Sequence, residues 1–237
     1  MSDSPLDPTE AFAQLGRIKL SETNLDGVLA QIARLAKHTI PGAEEVSVTL
    51  LRGPEAQTAA FTGQVALNLD ELQYQRGHGP CLAAAQARDT VSVPDMSTES
   101  RWPDWADRAR TEGVSSSLSI GLPVQETVVG ALNIYGTKPE AFDEDSITLA
   151  QTFAGYAAVA LANAHLYDST ATLAQQMETA MRSRAVIEQA KGIIMGERRC
   201  TSEEAFAILV KVSQDSNRKL RDVAAALVDR TAQPPRT

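Results

Sequence analysis

Arg184, Lys191 and Arg198 recur at seven-residue intervals near the end of the chain. On a helix that spacing puts three cations on one face, and fixed cations gain affinity for phosphate by releasing its counterions. Arg182, Arg199, Lys211, Arg218, Lys219 and Arg221 add charge to the same segment, while Gln189, Ser213 and Asn217 offer groups that hydrogen-bond base edges. For the charges alone, a solvated helix face with caps is the plainer account, and Asn217 stands where it would cap a helix. A second group is His78 and Cys81, in the run Gly77-His78-Gly79-Pro80-Cys81, with Trp102 and Tyr135 as candidate pocket walls. They are weak candidates for a small-molecule site, a haem or a thiol switch. Core burial is the plainer account of the cysteine and the aromatic rings. The sequence has no glycine-rich nucleotide loop, no metal-spaced His/Cys set and no nucleophile elbow. Asp143 and Asp145 sit at a helix start, where they favour the helix dipole. No catalytic residue, no metal and no enzyme activity are expected.

The charge balance first argues against nucleic acid. The 237 residues carry 22 Lys+Arg against 30 Asp+Glu, a net charge of −8. That charge is uneven: dividing the chain after Ala174 leaves −11 on the first part and +3 on the rest. Such asymmetry suggests two modules with different partners. With 43% hydrophobic and 22% charged residues, the chain has the composition of a folded protein. Two cysteines, Cys81 and Cys200, are too few for a disulfide scaffold. The acidic, proline-containing start is unlike a signal peptide, and no apolar run approaches the roughly 20 residues of a membrane span. A cytoplasmic protein with no membrane partner is expected.

The elements that must position these residues follow from periodicity. The first 20 residues read as a partly flexible segment. Leu25, Val28, Leu29, Ile32 and Leu35 lie on one face of a helix over Leu25 to Ile40, with Ser21 as its N-cap and Pro41-Gly42 ending it. Val46, Val48 and Leu50 alternate as a strand, with Thr58 to Gly63 as a hairpin partner. Leu69 to Ala87 reads as helical at both ends, with the Gly77–Pro80 turn between. Val91 to Pro94 is a short strand, and Arg101 to Glu112 a helix carrying both tryptophans. Leu118, Ile120 and Leu122 form a strand joined through Gln125-Glu126-Thr127 to another over Val128 to Tyr135. The expected fold is α+β, an antiparallel sheet with helices packed on it.

From Glu144 to Gly196 there is no proline, which predicts a very long helix. Leu166, Thr170, Leu173, Met177, Ala180, Arg184 and Ile187 follow alternating steps of four and three, the repeat that keeps one seam facing a partner helix. A parallel homodimeric coiled coil is the preferred reading; a helix packed along its own domain is the alternative. Thr201 and Glu204 form a capping box for a second helix with Phe206, Leu209 and Val210 as its stripe. Asp215-Ser216-Asn217 breaks it and caps a third helix that buries Leu220, Val223, Ala224 and Leu227. Ala190 and Gly192 are expected to permit close packing.

The tail resembles the ANTAR domain of transcription antitermination regulators. The resemblance rests on Ser183-Arg184, the run Ile187 through Met195, Glu204-Ala205-Phe206, Leu209, Ser213, Asn217 and Leu220 through Ala224. It implies an RNA surface that involves Arg184, Gln189, Lys191, Ser213, Asn217 and Arg221, to which the cation spacing adds Arg198. The body resembles a GAF domain through Leu122-Pro123, Val129 through Leu132, Phe142 through Asp145, and Phe153, Ala154, Ala158, Asn163-Ala164 and Leu166-Tyr167. That implies a sensor, with a small-molecule ligand possible but no cyclic-nucleotide signature. The resulting division is a flexible 1–20, a GAF-like 21–167, a coiled-coil linker 168–180, an ANTAR domain 181–231 and a disordered 232–237. The expected function is a signal-responsive regulator that binds paired RNA stem-loops in nascent transcripts as a homodimer and promotes antitermination. A helix-turn-helix DNA-binding regulator is the main alternative. A GAF-type thiol redox enzyme or sensor is a further one, because some GAF domains reduce methionine sulfoxide by cysteine chemistry.

Overall fold

Asp7 opens the first helix: its carboxylate accepts from the backbone N–H groups of Thr9 (2.8 Å) and Glu10 (3.3 Å), and Pro8 needs no donor at that position. The computed structural model describes residues 6–52, 55–123 and 128–232. Helix α1 (Pro8–Gly16) therefore lies within the stretch read as flexible, held by buried Ala11 and Leu15. Helix α2 (Leu25–Thr39) is capped by Asn24, which accepts from Gly27 N–H at 2.9 Å, and not by Ser21. The cap must stand immediately before the first helical residue, and Ser21 is too far upstream.

Strands β1 (Glu45–Arg52), β2 (Glu55–Phe61), β3 (Thr90–Val93), β4 (Ser116–Pro123) and β5 (Val128–Gly136) form one antiparallel sheet in the order β2-β1-β5-β4-β3. The hairpin partner of β1 starts earlier and ends earlier than the alternation suggested. The residues joining β4 to β5 lie outside those described. Between β2 and β3 come α3 (Gln64–Arg76) and α4 (Pro80–Ala87), separated by the expected turn. Helix α5 (Pro103–Thr111) precedes β4; Trp105 is within it, while Trp102 stands just before its first turn.

The sheet has two unlike faces, because side chains alternate along each strand. Val46, Val48, Leu50, Leu118, Ile120, Leu122, Leu132 and Ile134 join one core with α1, α2 and the start of α6 (Glu144–Arg198). Along α6 this core takes Ala150, Phe153, Ala154, Ala157, Leu161 and Ala164, a stripe of helical period. By composition α6 contains an 18-residue window apolar enough for a membrane span, but this stripe is core. The opposite sheet face is lined by small polar residues, taken up below.

The chain divides into two compact units, residues 1–168 and 169–237. In the second unit the end of α6, α7 (Ser202–Asp215) and α8 (Leu220–Ala232) enclose Ala190, Ile194, Ala205, Leu209, Val223 and Ala224. The capping box forms as the sequence predicts: Thr201 Oγ1 accepts from Glu204 N–H and Glu204 Oε2 accepts from Thr201 N–H. Ala190 is fully buried, as close packing requires, whereas a Cβ on Gly192 would meet open space. Gly192 therefore serves no packing role within the described chain. Residues 233–237, read as a disordered tail, lie outside the described residues.

Candidate functional site

In the first unit the polar sheet face is the natural site. Ser47, Asn133 and Ser119 are register partners across β1, β5 and β4, and all three are buried. Thr49 and Ser117 extend this surface, and Tyr135 pairs with Ser117 in the next row. A face so polar must be covered and satisfied, since each unpaired buried polar group costs roughly 1–3 kcal/mol.

Asp70, on α3, satisfies most of it. Its Oδ1 accepts from Tyr135 Oη at 2.6 Å and Asn133 Nδ2 at 3.3 Å, and its Oδ2 accepts from Thr58 Oγ1 at 2.9 Å. Asn133 Nδ2 also reaches Thr49 Oγ1 (2.9 Å) and Ser47 Oγ (3.1 Å). Tyr74 Oη lies 2.9 Å from both Thr49 Oγ1 and Thr58 Oγ1. Burial pushes the Asp70 carboxyl up to about 6, against the hydrogen bonds that favour its charge. Burial and the nearby Asp70 carboxylate likewise hold the Tyr135 and Tyr74 phenols well above their usual range. Among the described residues, two buried atoms of this face, Asn133 Oδ1 and Ser117 Oγ, have no hydrogen-bond partner.

The predicted ligand residues are only partly gathered here. Tyr135 belongs to the network through its hydroxyl and also borders a cleft of about 280 Å³ with Lys37, Glu45, Glu112 and Val114. Trp102 packs against the cluster of Ala66, Leu69 and Trp105, with the Arg101 guanidinium 4.6 Å from its ring centre. His78 is exposed. Gly77 ends α3 in the left-handed conformation (φ 73°), and a Cβ on Gly79 would collide with Gln73, whose Oε1 accepts from Cys81 N–H at 2.8 Å. This turn thus serves to cap α4. Cys81 is buried among Leu82, Ala85 and Ala131, and burial pushes its thiol up, opposite to what a reactive cysteine needs. In the native protein Cys81 is therefore expected to react with iodoacetamide roughly a hundredfold more slowly than half-buried Cys200. Mass mapping of the labelled thiols reads this directly, and equal labelling would show that the turn opens.

Asp70, Asn133, Thr49, Thr58 and Tyr74 were not singled out from sequence. The available signal was the alternation itself: Ser47, Thr49, Ser117, Ser119 and Asn133 fall between the apolar residues of their strands. Nothing local marks Asp70, which lies between Leu69 and Glu71 as any helix-surface acid would.

In the second unit the seven RNA candidates have unequal surroundings. Arg184, Gln189 and Arg198 are exposed. Lys191 has a side chain only 14% exposed and donates to both carboxylate oxygens of Glu188 at 3.0 Å. Arg221 pairs with Asp222 at 3.5 Å. Ser213 Oγ donates to the carbonyl of Arg218 at 2.5 Å. Asn217 does not cap α8. It takes the left-handed conformation (φ 49°) after α7, where its N–H donates to Gln214 O and that of Arg218 to Ser213 O. This pair of bonds is the Schellman arrangement, and asparagine is the residue after glycine that best tolerates the backbone angle. Sequence alone could not separate a cap before α8 from a stop after α7, since both favour Asn.

Family models match a GAF domain over residues 22–162 and an ANTAR domain over residues 175–228. A search of the curated proteins found no match. Among solved structures, the chain is similar to the GAF domain of a phosphoenolpyruvate-protein phosphotransferase from Coxiella burnetii, at 17% identity and a TM-score of 0.51, covering 69% of this chain and 97% of that one. The phycocyanobilin-bound GAF domain of a cyanobacterial phytochrome matches at 16% and 0.51, covering 68% and 97%. A free methionine-R-sulfoxide reductase from Neisseria meningitidis, in complex with its substrate, matches at 20% and 0.50, covering 69% and 89%. At such identities the likeness concerns the fold, and this fold carries unlike functions in the three proteins. The two matched domains together are the architecture of a regulatory protein, and the chain belongs to the GAF domain family through residues 22–162, with an ANTAR domain following it.

Proposed function

We propose that this protein is a signal-responsive RNA-binding regulator. Its ANTAR domain grips paired stem-loops in nascent transcripts and so promotes antitermination, and its GAF domain gates that grip. The observation that carries this reading is the ANTAR match over 175–228, which falls on a three-helix head whose part of the chain is basic while the rest is acidic. An acidic sensor repels stray phosphate and leaves contact to the head. We divide the chain functionally into the sensor (21–167), a coiled-coil linker (168–180) and the RNA head (181–231), in a cytoplasmic protein.

The head is presented as a homodimer. Leu166, Leu173 and Met177 stand between 57 and 60% exposed on α6. The same alternation of three and four runs back through Asn163 to Val159 and Tyr156, which are 60 and 54% exposed. Within the first unit, Val159, Asn163 and Leu166 lie opposite the stripe that α6 buries in its own sensor core, so this part of the helix serves both.

Hairpin RNA, duplex DNA and scrambled RNA distinguish this reading from a DNA-binding regulator. Tandem stem-loops are expected to compete best, and a protein that prefers duplex DNA would sink the proposal. Lys191 supplies a finer check. Lys191→Ala should weaken RNA binding and lower the slope of log affinity against log salt by about one. Glu188→Gln, which releases Lys191 from its ion pair, should strengthen binding severalfold. Unchanged slopes in both variants would remove Lys191 from the phosphate contact.

A further inference from the structure

The head contains a cleft of about 340 Å³ that none of the predicted contacts explains as a whole. Its floor is apolar, formed by Ile194, Leu209, Val212 and Leu227 from all three helices, and Val212 is 46% exposed. Its rim carries three guanidinium groups, Arg198, Arg218 and Arg230, and one carboxylate, Glu197. Among the described residues neither Arg198 nor Arg230 has an ion pair, and Arg218 donates to the backbone carbonyl of Asp222. The volume lies at the lower end of the range for small-ligand pockets.

An apolar slot rimmed by cations fits a flat ring joined to an anion. Unpaired RNA bases offer that combination, because a base splayed from its loop presents an apolar face and stays tethered to phosphates. We propose that this cleft receives one unstacked base of the RNA loop. The ring lies against Leu209, Val212 and Leu227, and Arg198 and Arg230 take the flanking phosphates. Glu197 repels phosphate and accepts hydrogen bonds only, so it selects guanine, whose N1–H and exocyclic amino group donate side by side to one carboxylate, over uracil, whose lone N3–H sits between two carbonyls that repel the charge. The inference rests on the reading that the head binds RNA, and it gives that surface its specificity-determining feature.

The test uses the full-length protein and a pool of RNA hairpins with a constant stem and a randomised loop. Wild-type selection should fix guanine at one loop position. Glu197→Gln, which can donate as well as accept, should admit uracil there. Leu227→Trp fills the slot and should weaken the selected hairpin roughly ten- to hundredfold without changing the salt slope. Removing the base at the selected position should cost as much in wild type and nothing further in Leu227→Trp. Arg230→Ala, a surface change, should weaken binding and lower the slope by about one. Circular dichroism confirms that each variant folds, and the base-removal experiment needs no variant. If hairpins are enriched but Leu227→Trp and Glu197→Gln leave affinity and base preference unchanged, the cleft proposal is overturned while the RNA reading stands. Altered sedimentation of Leu227→Trp with unaltered RNA affinity would make the cleft a protein contact and also overturn it. No enrichment of any hairpin would overturn both readings.

Discussion

Leu173→Glu combined with Met177→Glu is expected to leave the protein monomeric at micromolar concentration. Both side chains are more than half exposed in the single chain, so the change should leave the sensor core and the head core intact. In a parallel pair the two positions bury four side chains, each contributing about 1.5–3 kcal/mol. Four glutamates would add the cost of facing like charges inside the seam. The dimer dissociation constant should therefore rise by three orders of magnitude or more, at about 1.4 kcal/mol for each factor of ten. Sedimentation equilibrium measures this, and a variant that remains dimeric would move the interface off this face of α6. Affinity for tandem stem-loops should fall by roughly a hundredfold or more, because the second head no longer binds at high effective concentration. Affinity for one isolated stem-loop should hardly change. Asn163 provides a distinct arm of the same experiment. A buried polar residue in the seam restricts register and oligomer number at a cost in stability, so Asn163→Leu should raise dimer stability and loosen oligomer specificity.

The second large effect concerns Asp70 and pH. Its carboxyl titrates at about 6 in the folded chain, against an ordinary value of 3.8. Between those two values the folded state holds a proton that the unfolded state has lost. Folding is therefore favoured at the acid side, and stability falls as pH rises from about 4 to about 6. Above that range the charged, buried carboxylate carries a standing cost on the order of 2–3 kcal/mol. Asp70→Asn keeps the shape and removes the charge. Its Oδ1 still accepts from Tyr135, and its amide nitrogen donates to Thr58 once that hydroxyl turns. The variant is expected to be more stable than wild type at pH 7.5 by up to that amount, with a flatter dependence between pH 4 and 6. Urea unfolding across that range reads both quantities. A steeper dependence in the variant, or lost stability at pH 7.5, would mean the hydrogen bonds outweigh the desolvation of the charge. Asp70→Ala should instead destabilise by several kcal/mol, since Tyr135 would lose its acceptor, Asn133 and Thr58 would each lose one of their partners, and a cavity would open beneath α3.

The amphipathic and alternating segments were legible because their signal is local. Val46, Val48 and Leu50 declare one face of β1, and Thr201 with Glu204 declares the start of α7, within four or five residues of chain. The length of α6 could be read for the same reason: the proline-free stretch from Glu144 to Gly196 announces one continuous helix. The resemblance of the tail to ANTAR rested on a contiguous run, Ile187 through Met195, and needed no fold to be seen.

What the sequence by itself determined, then, is the order of the elements, the two unlike modules and the separation of acidic sensor from basic head. Tertiary structure decided which polar residues are already engaged. Asp70 meets Tyr135 across 65 positions of chain and Asn133 across 63, and no periodicity within α3 announces either contact. That Ser213 Oγ holds the Arg218 carbonyl, and that Asn217 closes α7 through its backbone, is visible only in the turn from α7 to α8. Arg198, Arg218 and Arg230 come from three separate segments, and only helix packing sets them around one cleft. Secondary structure follows from backbone bonding and side-chain spacing over a few residues, so a linear text records it. A site is a meeting of distant side chains, and their company is settled only when the core has packed.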